Sequence, residues 1–209
     1  MKTILKRFFT AIGYLLSFIY PPALSQAFES MIAYLYTGFH IRRFKAWGSL
    51  SSMAWGVSAR GAKYISVGAD NIFLRNTSLT ATPAIAGKDP EITIGNHCHF
   101  GKRNHITSVN KITIGNYLLT GSYVLISDNA HGAFTKEMLN MPPFDRPLVS
   151  KGEVTIGDYV WIGDQVCIMP GVHIGNHVVI GANSVVTHDI PDGCMAAGNP
   201  AKVIKMLEE

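Results

Sequence analysis

The chain has 209 residues, enough for a substantial core, and with 47% hydrophobic and only 15% charged residues it is not a disordered chain. Its net charge of +4 and pI near 9.0 point to an anionic partner. No helix-turn-helix, zinc-finger or aromatic RNA-binding motif occurs and the basic residues line no single helix, so cofactor phosphates or an anionic membrane fit that charge better than nucleic acid.

The chain opens with Lys2, Lys6 and Arg7 ahead of an apolar run from Phe8 through Ile12, Leu15 and Phe18 to Ile19 and Tyr20, closed by Pro21-Pro22. That run is too short for a comfortable membrane span, which takes about 20 apolar residues. A secretory signal is the alternative, since Ser25-x-Ala27 loosely matches a cleavage pattern. A second amphipathic stretch, Phe28 to Leu35, leads to the basic and aromatic group His40, Arg42, Arg43, Phe44, Lys45 and Trp47. Two readings of residues 1–60 stand side by side. One is peripheral contact with a membrane surface, and the other is a helical cap on whatever follows.

A six-residue period begins near Tyr64 with Ile65, Val67 and Phe73. It sharpens at Glu91-Ile92-Thr93-Ile94-Gly95 and at Lys111-Ile112-Thr113-Ile114-Gly115, 20 residues on, where a regular coil takes about eighteen. Phe100, Ile106, Thr120 and Ile126 continue the inward set. The period then lapses over residues 127–153, which include Pro142, Pro143 and Pro147. Because the repeat resumes in frame, this segment must leave from a corner and fold over the outside, as functional excursions commonly do.

From Val154 to Val186 the repeat is regular: Val154, Val160, Val166, Val172 and Val178 are each followed two places later by an isoleucine. Residues two apart on a strand share a face, so each triplet aims two side chains inward and one outward. Gly157, Gly163, Gly175 and Gly181 are expected to adopt the corner conformations between triplets. Three short strands then make one triangular coil, and stacked coils bury one apolar column. The expected fold is an all-β solenoid, a left-handed parallel β-helix, over residues 61–191, with a helical segment at 1–60 and a short tail at 192–209. Cys98, Cys167 and Cys194 are isolated and odd in number, which argues against a disulfide framework and for a reducing, cytoplasmic setting.

Several phrases are more specific than the period itself. They are Ser127-Asp128-Asn129-Ala130-His131-Gly132, Gly157-Asp158-Tyr159-Val160-Trp161-Ile162-Gly163, Met169-Pro170-Gly171-Val172-His173-Ile174-Gly175, and Val179-Ile180-Gly181-Ala182-Asn183-Ser184-Val185-Val186-Thr187, with Gly198-Asn199-Pro200-Ala201-Lys202 in the tail. On these, the stretch from Glu91 to Lys205 resembles the hexapeptide-repeat acyltransferases, and among them the galactoside, maltose and nodulation O-acetyltransferases and their polysaccharide- and lipopolysaccharide-modifying relatives. The resemblance implies an acetyl-CoA-dependent O-acetyltransferase acting on a saccharide, a homotrimer with each site between two protomers, and no metal. A lipid-linked acceptor would explain the basic, apolar leader. Two alternatives are an N-acetyltransferase for an amino sugar or antibiotic and a non-catalytic β-helix scaffold.

Transfer from a thioester to a hydroxyl needs a base near neutrality, and imidazole suits that task. Similar enzymes place that base where His131 stands. Asp128 or Asn129 could hold its far nitrogen, as could Glu137 or Asp145 folding back from the loop. The family's acceptor-binding asparagine aligns with Gly101, leaving Asn104 as the nearest candidate. Trp161, between inward Val160 and Ile162, must point outward, with Leu119 below and Val179 above; its family counterpart lies at the active site. By resemblance, Asp164, Ala182 and Thr187 follow the pantetheine arm and Lys202 and Lys205 meet the CoA phosphates. His97 and His99 alternate like a metal pair, but no further ligand spacing supports zinc.

Overall fold

Short apolar triplets cannot bury both residues in a flat sheet of their own, so they stack. In the computed structural model, which describes residues 2–18 and 22–207, the chain passes through three parallel sheets in turn and lays each coil on the last. The first sheet runs Ala46–Trp47, Ile65–Val67, Glu91–Ile94, Lys111–Ile114, Val154–Ile156, His173–Ile174. The second runs Ser52–Met53, Ile72–Phe73, His99–Phe100, Leu119–Thr120, Trp161–Ile162, Val179–Ile180. The third runs Ser58–Arg60, Ser78–Ala81, His105–Ser108, Leu125–Ser127, Cys167–Ile168, Val185–Val186. Ile19, Tyr20 and Pro21, at the end of the leading apolar run, lie outside the described residues.

The column inside is continuous. Every inward Val and Ile of the repeat from Val154 to Ile180 is at most 3% exposed, and each contributes on the order of 1.5–3 kcal/mol by leaving water. Lower in the column Phe73 and Phe100 stack, with ring centroids 4.6 Å apart. Outward Trp161 pairs in register with Leu119 on one side and Val179 on the other, as the six-residue count requires.

The glycines act differently from expectation. The left-handed corners fall two residues later, on Tyr159, Gln165, His177 and Asn183, at φ between 55 and 60°. At Gly163 a Cβ would sit 2.6 Å from the Ala182 nitrogen of the next coil, and at Gly157 it would sit 2.8 Å from the Gly175 carbonyl carbon. Close approach of stacked backbones is therefore what demands glycine there.

The strands begin at Ala46, upstream of the boundary at residue 60 read from the period. The first coil carries Trp47, Met53 and Ala59 instead of paired branched residues, so its periodicity is faint. The tail is ordered too: Cys194–Gly198 and Ala201–Met206 form an antiparallel hairpin added to the second sheet beside Val179–Ile180.

The two helical stretches separate the membrane and cap readings. In α1 (Lys2–Ser17) every side chain is exposed, including Phe8, Phe9, Leu15 and Leu16. In contrast, α2 (Pro22–His40), which contains Ser25 and Ala27, closes the first coil. Buried Thr37 Oγ1 accepts the Met53 N–H at 2.8 Å, and the Tyr36 hydroxyl donates to the Val57 carbonyl at 2.8 Å. An edge strand that would otherwise offer free donors is thus occupied.

Candidate active site

The excursion leaves from the corner after Leu125–Ser127 and returns at Val154, joining the third sheet to the first. Its neck is pinched by two short antiparallel strands, Ala130–His131 and Leu148–Val149, with His131 opposite Leu148. The Gly132 N–H adds a bond to the Pro147 carbonyl at 2.9 Å. Gly132 has φ 77°, and the Arg146 side chain lies against it, so a Cβ there would be both strained and crowded. Arg146 is held in turn by the Met141 and Leu139 carbonyls, at 3.0 and 3.4 Å. His131 therefore sits on a fixed backbone with its side chain in solvent.

Nothing among the described residues hydrogen-bonds the His131 ring, and the candidates for that role are occupied elsewhere. Asp128 is fully buried. It accepts from Ser108 Oγ at 2.6 Å, Val109 N at 2.9 Å, Asn110 N at 3.0 Å and Asn129 Nδ2 at 3.1 Å, which makes it an anchor for the turn of the coil below and not a partner of His131. Asn129 spends its amide on Asp128 and on the Thr107 carbonyl, at 3.1 Å each. Glu137 belongs to the start of α3 (Lys136–Leu139), where its own backbone N–H and the Thr135 hydroxyl hold its carboxyl below the usual range. Asp145 caps a turn through its N–H to the Pro142 carbonyl at 3.0 Å. Asn104, expected near the acceptor, is 2% exposed and turned into a corner, donating to Thr120 Oγ1 at 2.5 Å and accepting from Val124 N at 2.9 Å. It is a structural residue, displaced from substrate by burial.

The remaining candidates are on the surface but dispersed. Trp161 stands 53% exposed in the middle of the second sheet. Asp164 and Ala182 occupy successive levels of the corner between the second and third sheets, where Asp164 Oδ1 accepts the Ser122 N–H at 2.6 Å. Thr187 follows Val185–Val186 on the corner from which the excursion leaves, two coils above Ser127. Lys202 lies opposite Ala197 in the terminal hairpin, above the Ala182 corner. Lys205 borders a cleft of about 350 Å³ walled by Val179, Met195, Met206 and Leu207. The chain thus distributes these residues over two corners, a face and a hairpin.

Sequence reasoning missed one surface element. His97, Tyr117, Tyr159 and His177 form a ladder of parallel rings up the corner between the first and second sheets, with centroids 4.7–5.0 Å apart. Asp70 Oδ2 closes its lower end on His97 Nδ1 at 2.9 Å. Each ring occupies a left-handed corner position, so the signal was present two residues after each repeat glycine. This also accounts for His97 without a metal.

Three parallel sheets of hexad coils, an extruded histidine loop and a terminal hairpin define a hexad-repeat β-coil protein. The bacterial transferase hexapeptide signature (six repeats) matches residues 153–188. A maltose O-acetyltransferase from Clostridium difficile 630 is 30% identical, with a TM-score of 0.51 over 80% of this chain and 72% of that one. The chain belongs to the hexapeptide-repeat acyltransferases. A protein of Escherichia coli K12 provisionally named a lipopolysaccharide biosynthesis O-acetyl transferase, WbbJ, is 47% identical over 105 residues, or 48% of this chain and 53% of that one. The chain therefore spans about half the length of that curated relative. AntD, an N-acyltransferase from Bacillus cereus solved with dTDP and 3-hydroxybutyryl-CoA, shares the fold, with a TM-score of 0.70 and 19% identity over 85% of this chain and 90% of that one.

Proposed function

We propose that this chain transfers acetyl from acetyl-CoA to a saccharide hydroxyl, with His131 as general base, on a left-handed β-helix assembled as a homotrimer. The observation that carries the reading is His131 itself, fixed at the neck of the excursion while its ring stays open to solvent and free of hydrogen bonds among the described residues. An imidazole nitrogen takes the hydroxyl proton as the acceptor oxygen attacks the thioester carbonyl. The tetrahedral intermediate then expels CoA thiolate, which recovers the proton from the imidazolium.

Supporting the donor, the cleft beside Lys205 offers apolar walls for an acyl-CoA arm, and Lys202 and Lys205 offer point charges for its phosphates. Asp164, Ala182 and Thr187 are assigned to contacts along that arm. The likeness to WbbJ and the exposed amphipathic α1 support a lipid-linked or surface-polysaccharide acceptor handled at the inner face of the membrane. Among the described residues no helix is long and apolar enough to cross a membrane. The fold shared with AntD supports a second reading, transfer to the amine of an amino sugar.

Acetyl-CoA turnover over a panel of saccharide acceptors tests the proposal. His131→Ala is expected to reduce turnover about 10²–10⁴-fold with CoA affinity by calorimetry unchanged. An acetylated product resistant to mild alkali identifies amide formation and the second reading. Near-normal turnover of the variant removes His131 from the chemistry, and no turnover by the wild type on any acceptor favours a scaffold.

A further inference from the structure

The first 60 residues hold 7 of the chain's 18 basic residues and 1 of its 14 acidic ones. Part of that charge converges on a cavity of about 460 Å³ between the C-terminal end of α2 and the first strands of the third sheet. Its polar lining is His40, Arg43, Arg60, Ser58, Ser78 and Thr80, and no carboxylate lines it. Tyr36, Phe44 and Val57 form an apolar wall.

The cations are arranged before any ligand arrives. Arg43 Nη2 donates to the Ala59 carbonyl at 3.3 Å, and Nη1 lies 3.4 Å from His40 Nδ1. Arginine only donates, so His40 Nδ1 faces Arg43 as the acceptor of that contact. Neither Arg43 nor Arg60 has a carboxylate within salt-bridge distance among the described residues, whereas the nearby Lys45 and Arg75 are paired with Glu91 and Glu29, both at 3.0 Å. Ser58 and Ser78 share a hydrogen bond at 3.2 Å across the strand pair, so their hydroxyls meet at the cavity's edge. Forked guanidinium donors, hydroxyls and an adjacent apolar wall, with no counter-charge, match a phosphate ester borne on an apolar chain.

We infer that this cavity binds the phosphate-ester group of an amphiphile, with Arg43, Arg60 and the Ser58 and Ser78 hydroxyls as its donors. The site is built on the first coils and α2; along the third sheet Arg60, Thr80, Thr107 and Ser127 stand in register, so the excursion leaves three strands above Arg60. Its readout is binding, so it stands or falls separately from acetyl transfer.

The test uses the full chain with two probes, sodium pyrophosphate by calorimetry and vesicles of phosphatidylcholine with phosphatidic acid by flotation. Wild type saturated with CoA is expected to bind a single further pyrophosphate per chain. Arg60→Gln should weaken binding about tenfold, the loss of one charged hydrogen-bonding partner. Ser78→Phe changes no charge but fills the cavity and should abolish pyrophosphate binding, while Lys136→Gln, in α3 of the excursion and outside the cavity lining, should leave it unchanged. Dependence of vesicle flotation on Arg60 and Ser78 assigns the ester to a lipid; dependence confined to pyrophosphate assigns it to a soluble phosphate. Equal binding by wild type, Arg60→Gln and Ser78→Phe, each with an unaltered melting curve, overturns the site. So does the absence of binding to both probes.

Discussion

Replacing Asp128 separates an anchor from a catalytic carboxylate. Asp128→Ala leaves the Ser108 hydroxyl and the Val109 and Asn110 N–H groups without their acceptor in a site where the carboxylate itself was fully buried. Each unsatisfied buried donor costs about 1–3 kcal/mol. Allowing for water entering the space and for the Ser108 hydroxyl turning to the Glu91 carbonyl, 3.2 Å away, the loss is about 3–5 kcal/mol. For a chain of this size that lowers the melting temperature on the order of 10 °C. Asp128→Asn keeps one accepting oxygen and should fall between the variant and wild type. His131→Ala removes an exposed ring with no described hydrogen bond and should stay within about 0.5 kcal/mol of wild type. Thermal melts by circular dichroism with parallel turnover assays make the comparison. If Asp128→Ala melts like wild type yet loses turnover as His131→Ala does, Asp128 acts on the chemistry and the anchoring argument fails.

The N-terminal helices should respond in opposite ways. Removing residues 1–21 should weaken salt-sensitive flotation with anionic vesicles to the part that Arg60 and Ser78 carry, because it deletes the exposed apolar face of α1 and three cations worth about 1 kcal/mol each near such a surface, while the melting curve stays put. Thr37→Val should instead leave flotation intact and lower the melting temperature, since it strips the acceptor from the buried Met53 N–H; flotation unchanged by loss of α1 refutes the anchor.

The regular coils were legible because one physical rule, two inward residues per triplet, repeats without interruption from Val154 to Ile180. The register of Trp161 between Leu119 and Val179 followed from counting alone. The first coil was not legible: Met53 and Ala59 do inward and packing work that Val and Ile do elsewhere, and the Thr37 cap comes from outside the repeat. At the site, sequence proximity misled. Asp128 and Asn129 stand close to His131 in the chain, yet the previous coil claims both: its buried N–H groups donate to Asp128, and its Thr107 carbonyl accepts the Asn129 amide. Asn104 failed for the same reason, because solenoid corners consume amides to satisfy stacked backbone groups.

A rigid three-faced coil cannot bend the excursion corner onto the middle of its second sheet, so a site using both His131 and Trp161 draws them from two protomers. Several surfaces are poised for such an assembly: Leu119 and Trp161 are 45% and 53% exposed on one face, and Phe134 and Phe144 on the excursion are 93% and 92% exposed. In the proposed trimer, cyclic threefold symmetry would pair one protomer's excursion with its neighbour's second-sheet face at each interface. The arrangement makes complementation the decisive test. His131→Ala supplies an intact tryptophan face, and Trp161→Ala supplies an intact histidine loop. If the two are refolded together in equal amounts, random assortment restores both residues in about a quarter of the interfaces. Activity should therefore rise well above that of either variant alone, and sedimentation should show three chains per particle. Mixed particles that stay as inactive as the parent variants would place both residues in the same protomer's site, and a Trp161→Ala parent with wild-type activity would place Trp161 in none.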